Sequence, residues 1–227
     1  MPSTNDTVLP IAVLTRVPTP GRVKTRLESV VSPEDAARLQ EAFLKDVLAA
    51  SALVPGAKVE LHVAGDLAHP AIAALRETYP CYAQVEGDLG ARITAAADRL
   101  VAEYGRAIVL GSDAPTLPAS YLEAAGAALV DSDAVIGPTA DGGFCILGVR
   151  RALGESLLGV RWSSSHACAD ASDRLEARCM RVSLLAPWYD VDTPRELSLL
   201  RAHLETAPLA APYTARVLRQ VTFKEFA

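Results

Sequence analysis

The chain has 227 residues, half of them hydrophobic and 22% charged, which is enough apolar surface for a core of its own. A formal net charge of −5 argues against a nucleic-acid scaffold, which needs a basic face, and no apolar run reaches the roughly 18 residues of a membrane span. Aromatic residues are only 5% of the total, and Ala, Leu and Val dominate, which suits helices packed on a sheet better than a β-sandwich.

Taken in order, Val8–Val17 is a nearly continuous apolar run and reads as a buried strand, closed by Pro18, Pro20 and Gly21. Ser32-Pro33 is a helix start, with Asp35 placed for a capping box. That helix carries Ala36, Leu39, Phe43, Val47 and Leu48 on one face and ends before Pro55-Gly56. A strand is expected over Lys58–Ala64, a helix over Ala68–Thr78, a short strand over Cys81–Val85 and an Ala-rich helix over Leu89–Glu103. Ala107–Leu110 is a strand running into Gly111-Ser112-Asp113, Pro118–Val130 a helix and Ala134–Gly137 a strand. Gly143–Val149 pairs with a neighbour through the Asp141-Gly142-Gly143 turn. Ser164–Arg178 reads as a helix, Arg181–Leu185 as a strand, and Thr193–Leu204 as a helix capped by Thr193 with Pro194 first.

Strands and helices alternate almost throughout, so the expected fold is α/β, a mostly parallel sheet with helices on both faces. One domain spans residues 1–227, with its core at 8–206. The tail, 207–227, is either a final helix over the sheet or a contact between two copies of the chain. Met1–Thr7 is polar and lacks a signal-peptide pattern, and Cys81, Cys145, Cys168 and Cys179 fit no zinc spacing. Both features suit free thiols in a reducing cytoplasm.

Five constellations are candidates for chemistry. Arg16, Pro20, Gly21, Arg22, Lys24, Thr25 and Arg26 form a basic loop directly after the first strand, where open α/β sheets bind ligands. Lys24 supplies a point charge for phosphate, and Arg22 or Arg26 can fork onto its oxygens. The second glycine of a Walker A loop is missing, and a solvated basic loop is the plain alternative. Asp113 is delivered to the sheet edge by a strand, and Asp192 follows another. Two carboxylates there suit Mg²⁺ or Mn²⁺ completed by substrate phosphates, although each also suits a cap. Alternation puts Asp190 and Asp192 on one side and Val191 on the other, and Asp190 is the less favoured ligand. Asp141-Gly142-Gly143 lets backbone approach a ligand, or is an ordinary hairpin turn. Asp88 and Gly90 flank a helix start that can present N–H groups to an anion or a sugar, or simply cap it. His166, beside Trp162, is the one histidine placed near a ligand loop.

In order, the motifs Pro-Gly-Arg-Val-Lys-Thr-Arg-Leu, Gly-Asp-Leu-Gly, Gly-Ser-Asp-Ala-Pro, Gly-Pro-x-x-Asp-Gly-Gly, Trp-Ser and Tyr-Asp-Val-Asp-Thr-Pro run from about Ile11 to about Leu204. Together they resemble the small bacterial glycosyltransferases of the nucleotide-diphospho-sugar transferase superfamily, including those associated with arsenosugar biosynthesis. They are more distantly similar to phospholactate guanylyltransferases. The resemblance implies a GT-A-type fold, a nucleotide on the Pro20–Arg26 loop and a divalent cation near Asp113 and Asp192. Arg16 replaces the lysine often found at the end of the first strand, Phe144-Cys145 replaces an aromatic pair, and an Asp-x-Asp is reduced to Ser112-Asp113.

The expected function is metal-dependent glycosyl transfer from a nucleoside-diphosphate sugar to a small-molecule acceptor. Lys24 and Asp141 are the catalytic candidates, and Gly142, Gly143, Trp162 and His166 would form the acceptor or sugar side. Nucleotidyl transfer from a nucleoside triphosphate to a small phosphorylated acid is the alternative, and a non-catalytic nucleotide-sugar sensor is a third reading.

Overall fold

The opening apolar run becomes β1 (Leu9–Arg16), whose first seven residues are all buried. Burial on both faces makes it a central strand, since each neighbour in sequence points to opposite sides. In the computed structural model, which describes residues 8–224, β1 pairs in parallel with β2 (Ala57–Ala64) and with β4 (Ala107–Gly111). The full sheet has seven strands in the order β3-β2-β1-β4-β6-β5-β7, with β3 at Cys81–Ala83, β5 at Ala134–Pro138, β6 at Phe144–Val149 and β7 at Val182–Leu184. Only β6 runs against the rest, antiparallel to both β4 and β5. Its reversal has a functional consequence: the turn Thr139–Gly143 joining β5 to β6 lies at the edge where the parallel strands end, so Asp141 reaches that edge without a crossover helix.

Each face of the sheet has its own core. On one face, Ile11, Val13, Leu61 and Leu110 pack against Leu44 and Val47 of α1 (Pro33–Ala52) and Leu122 of α4 (Ala119–Ala128). On the other, Ala12, Leu14, Val109 and Leu147 pack against Ile93, Ala97 and Leu100 of α3 (Leu89–Tyr104) and Ala171 and Leu175 of α5 (Ala167–Glu176). A third cluster lies off the sheet. It joins Leu27 and Val31, the N-terminal half of α1 (Leu39, Phe43), Val191, Leu197 and Leu200 of α6 (Pro194–Thr206), and Ala215 of α7 (Pro212–Leu218).

Helix starts follow the expected caps. The Ser32 hydroxyl accepts from Asp35 N–H at 3.0 Å, but the Asp35 carboxylate pairs with Arg38 at 2.9 Å instead of returning to close the box. Thr193 and Glu196 do form a reciprocal box at the start of α6, with Thr193 N–H donating to Glu196 Oε2 at 2.8 Å. Two expected helices are shorter than the sequence suggests. Ala68–Thr78 is instead α2 (Pro70–Ala73) followed by a 3₁₀ turn, Leu75–Glu77; only Ile72 is buried there, too little packing to carry a continuous helix. The helix expected from Ser164 begins at Ala167, because Ser163 adopts φ 56° and the Ser164 hydroxyl closes a local turn, donating to Arg161 O and accepting from His166 N–H.

The segment beyond α6 packs over α1. The buried Asp46 carboxylate accepts from Tyr213 N–H at 3.0 Å and Thr214 N–H at 2.8 Å, capping α7 from a neighbouring helix. Further on, Lys224 N–H donates to Val30 O at 2.9 Å and its ammonium to Glu28 O at 2.6 Å. Asp46→Ala should destabilise the protein by about 1–2 kcal/mol, the usual cost of a lost helix cap. Urea unfolding checks this, and a change below a few tenths would show that the cap contributes nothing.

Candidate active site

Where the parallel strands end, a cavity of about 670 Å³ opens between the basic loop, the start of α3 and the segment before α6. Its floor is a buried polar chain: Gln40 Nε2 donates to Ser112 Oγ at 2.7 Å, and Ser112 Oγ lies 3.1 Å from Thr15 Oγ1. Gln84 ties the ends of β1 and β2 together by donating to Thr15 O at 3.0 Å and His62 O at 2.9 Å.

Lys24 occupies the centre. It sits in the left-handed region (φ 49°, ψ 34°) at the start of the 3₁₀ turn Thr25–Ser29. Its ammonium lies 2.7 Å from Asp113 Oδ1 and 2.7 Å from Asp192 Oδ1, and it donates to Val191 O at 2.8 Å. The side chain is only 4% exposed. Burial pulls its pKa down, but Asp113 and Asp192 more than offset that and hold it above its ordinary value. Asp192 is correspondingly held below its own: burial opposes ionisation, and the Lys24 charge overcomes it. In this arrangement the Lys24 charge lies between the two carboxylates, at the point where a divalent cation was expected, because two converging carboxylates need a cation between them.

Asp192 arrives by an indirect route. After β7 the chain follows the end of β5, with Leu185 N–H donating to Ile136 O at 2.9 Å and Trp188 N–H to Pro138 O at 2.9 Å. It then crosses to β4, where Val191 N–H donates to Asp113 O at 2.9 Å. Val191 is fully buried, while Asp190 and Asp192 both line the cavity. Asp190 has no cation of its own, and its carboxyl is pushed up to about 7 by burial and by the charges of Asp141, Asp192 and Asp113. Asp141 is anchored through Oδ1, which accepts from Thr139 Oγ1 at 2.5 Å and Gly143 N–H at 2.9 Å. Gly142 is required by its backbone: φ is 88°, and a Cβ there would fall 2.2 Å from Ser165 O.

Of the remaining expected residues, Arg16, Arg22, Thr25, Arg26, Asp88, Gly143 and Trp162 line the cavity. Pro20, Gly21, Gly90, Gly142 and His166 do not. His166 stands at the start of α5, on the turn that shortens that helix. The Asp88 carboxylate caps α3 at the cavity wall, accepting from Ala91 N–H at 2.8 Å. Gly90 acts behind the wall, since a Cβ there would lie 2.9 Å from the Trp162 ring. Arg92, Gln40 and Phe144 line the cavity as well, and sequence reasoning did not place the first two there. Gln40 had a visible signal, a polar side chain among Leu39, Phe43 and Leu44 on the buried face of a helix. Arg92, one turn into α3, had none. Arg16, Arg22 and Arg92 form no ion pair among the described residues, and Arg92 Nε is buried without a hydrogen-bond partner.

Comparison with known proteins agrees with this fold. A family model described as "Uncharacterized protein conserved in bacteria (DUF2064)" matches residues 47–164. No curated protein matches significantly. A solved structure provisionally named a nucleotide-diphospho-sugar transferase, from Desulfovibrio desulfuricans G20, is 28% identical, with a TM-score of 0.84 over 93% of this chain and 94% of that one. The fold is also that of 4-diphosphocytidyl-2C-methyl-D-erythritol synthase from Anaerococcus prevotii DSM 20548 (13% identity, TM-score 0.60, 88% and 97% covered). CMP:2-keto-3-deoxy-manno-octonic acid synthetase, solved with CTP, shares it too (13% identity, TM-score 0.57, 88% and 99% covered).

The raised Asp190 pKa has a defined sign. The folded protein holds this proton up to about 7, whereas the unfolded chain loses it near 4, so the folded state binds more protons between those values. In EDTA, stability should therefore fall as pH rises through that window, and Asp190→Asn should flatten the fall. Melting temperatures from pH 4 to 8 check this, and parallel curves for the two proteins would refute it.

Proposed function

Because the chain belongs to the DUF2064 family and its sheet carries this cavity, we propose that it is a transferase that takes a nucleotide-activated donor, by preference a nucleoside-diphosphate sugar. One observation carries the reading. Arg16, Arg22 and Arg92 have no ion-pair partner among the described residues and line the same cavity as Asp113, Asp141, Asp190 and Asp192. Cations without partners beside a carboxylate cluster suit a ligand that is itself anionic and arrives with a metal ion.

The arginines bind and orient the diphosphate, Arg22 and Arg26 from the loop and Arg92 from α3. In the transfer, the bond between the sugar carbon and the diphosphate oxygen breaks, and its electron pair leaves with the nucleoside diphosphate. The acceptor oxygen forms the new bond and gives its proton to the Asp141 carboxylate, which its turn holds in the cavity wall. The guanidinium groups stabilise the charge that grows on the leaving group.

A divalent cation fits this donor set under one condition. Among the described residues no three His, Cys, Asp or Glu side chains converge to hold a metal by themselves. Asp113 and Asp192 do converge, each with an oxygen 2.7 Å from one point, and Mg²⁺ is commonly held by one or two carboxylates with substrate phosphates completing the shell. The condition is that Lys24 leaves that point. Once bound, the cation would neutralise the diphosphate.

The number of arginines supports a second reading, nucleotidyl transfer from a nucleoside triphosphate, because a triphosphate has more charge to meet. Product analysis separates the two, since a released nucleoside diphosphate marks glycosyl transfer and pyrophosphate marks nucleotidyl transfer. Arg22→Ala should weaken donor binding about tenfold or more, since charge-assisted hydrogen bonds contribute about 1.5–3 kcal/mol each. Unchanged affinity by calorimetry, with neither product formed from any donor, would overturn the assignment.

A further inference from the structure

We propose that Lys24 gates the cation site: its ammonium occupies the point between Asp113 and Asp192, so a divalent ion enters only together with the phosphates that draw Lys24 away. The proposal deepens the reading of this cavity as a metal–nucleotide site and rests on it.

The ammonium donates to Asp192 Oδ1 at 2.7 Å and to Val191 O at 2.8 Å, and it is paired with Asp113 Oδ1 at 2.7 Å. With three protein oxygens within 2.8 Å and a side chain only 4% exposed, the ammonium is engaged by the protein, so Lys24 does not hold the carboxylates and a nucleotide in one arrangement. A divalent ion bound to the same two oxygens would sit about 2 Å from each and nearly on top of the ammonium. Two cations cannot share that point, and occupancy by one excludes the other.

Lys24 holds a left-handed conformation (φ 49°, ψ 34°) that a side-chain-bearing residue keeps only where surrounding contacts enforce it. When phosphates arrive beside Arg22 and Arg26, the ammonium gains an anionic partner and the carboxylates are freed for the metal. Metal and nucleotide therefore bind cooperatively, and the metal alone binds weakly, because each pays for displacing the same lysine only once.

The test titrates Mn²⁺ alone, with no nucleotide, into the wild type and Lys24→Met, following free Mn²⁺ by electron paramagnetic resonance and melting temperature in parallel. Lys24→Met should bind Mn²⁺ at least about tenfold more tightly than the wild type and gain the larger rise in melting temperature. Adding Asp113→Asn to Lys24→Met should cancel the gain. Lys24→Gln, which keeps a donor for Val191 O, is run alongside so that a folded uncharged variant is available. A wild type that binds Mn²⁺ as tightly as the folded uncharged variant overturns the gate. Tighter Mn²⁺ binding by the variants, with no nucleotide bound by any protein, upholds the gate and overturns only the nucleotide reading.

Discussion

The contact between one ammonium and two carboxylates organises the cavity end of this protein. Two aspartates brought to the same sheet edge repel each other, and a lysine withdrawn from water loses hydration; neither arrangement is stable without the other. Lys24, Asp113 and Asp192 come from three separate segments, and their mutual attraction fixes where the basic loop, the end of β4 and the approach to α6 meet. Removing one member leaves an uncompensated charge, which is why such groups cost far more to break than they contribute when intact. Asp113 and Asp192 each remain 43% exposed, so water tempers that cost on the carboxylate side.

Packing beneath the site supports this electrostatic meeting. The third core places Leu27, directly after the basic loop, and Val191, between the two aspartates of the acidic segment, in one apolar cluster with Phe43 and Leu200. Loop and acidic segment are thus fastened by the same side chains that keep them dry from below. The last described residues complete the fastening: Lys224 binds the backbone of Glu28 and Val30, and α7 is held to α1 through Asp46. The sheet's two cores do not include this cluster, so the loop and the acidic segment at the cavity are stabilised separately from the scaffold that presents them.

Much of the scaffold was legible because its signals are local. The apolar run of β1, the Ser32-Pro33 and Thr193-Pro194 helix starts, and the Asp-Gly-Gly turn each declare a backbone conformation through their own residues. The signals failed where packing or local hydrogen bonding decides. Ala68–Thr78 has helical spacing but almost nothing to pack against, and Ser163–His166 is captured by serine hydroxyls before the helix can begin. At the site, the residue types were readable and their partners were not. The basic loop and the paired acids stood out as separate motifs on opposite ends of the chain, and no pattern in either shows that Lys24 turns inward to the acids while the arginines stay free. Arg92 was invisible for the same reason, since a helix-surface arginine looks the same in sequence whether it faces solvent or a cavity.

The distance along the chain between those motifs also orders events during synthesis. The β5–β6 hairpin closes through the short turn at Thr139–Gly143, whereas Lys24 meets Asp192 across a separation of 168 residues. Contacts of low sequence separation form first, and a chain leaving the ribosome exposes its N-terminal parts earliest. The basic loop is therefore made long before its acidic partners, and the nascent chain carries it without the carboxylates that later neutralise it. The Lys24–Asp192 contact forms only when the segment before α6 has emerged, and β7, which closes the sheet's far edge, emerges just ahead of it.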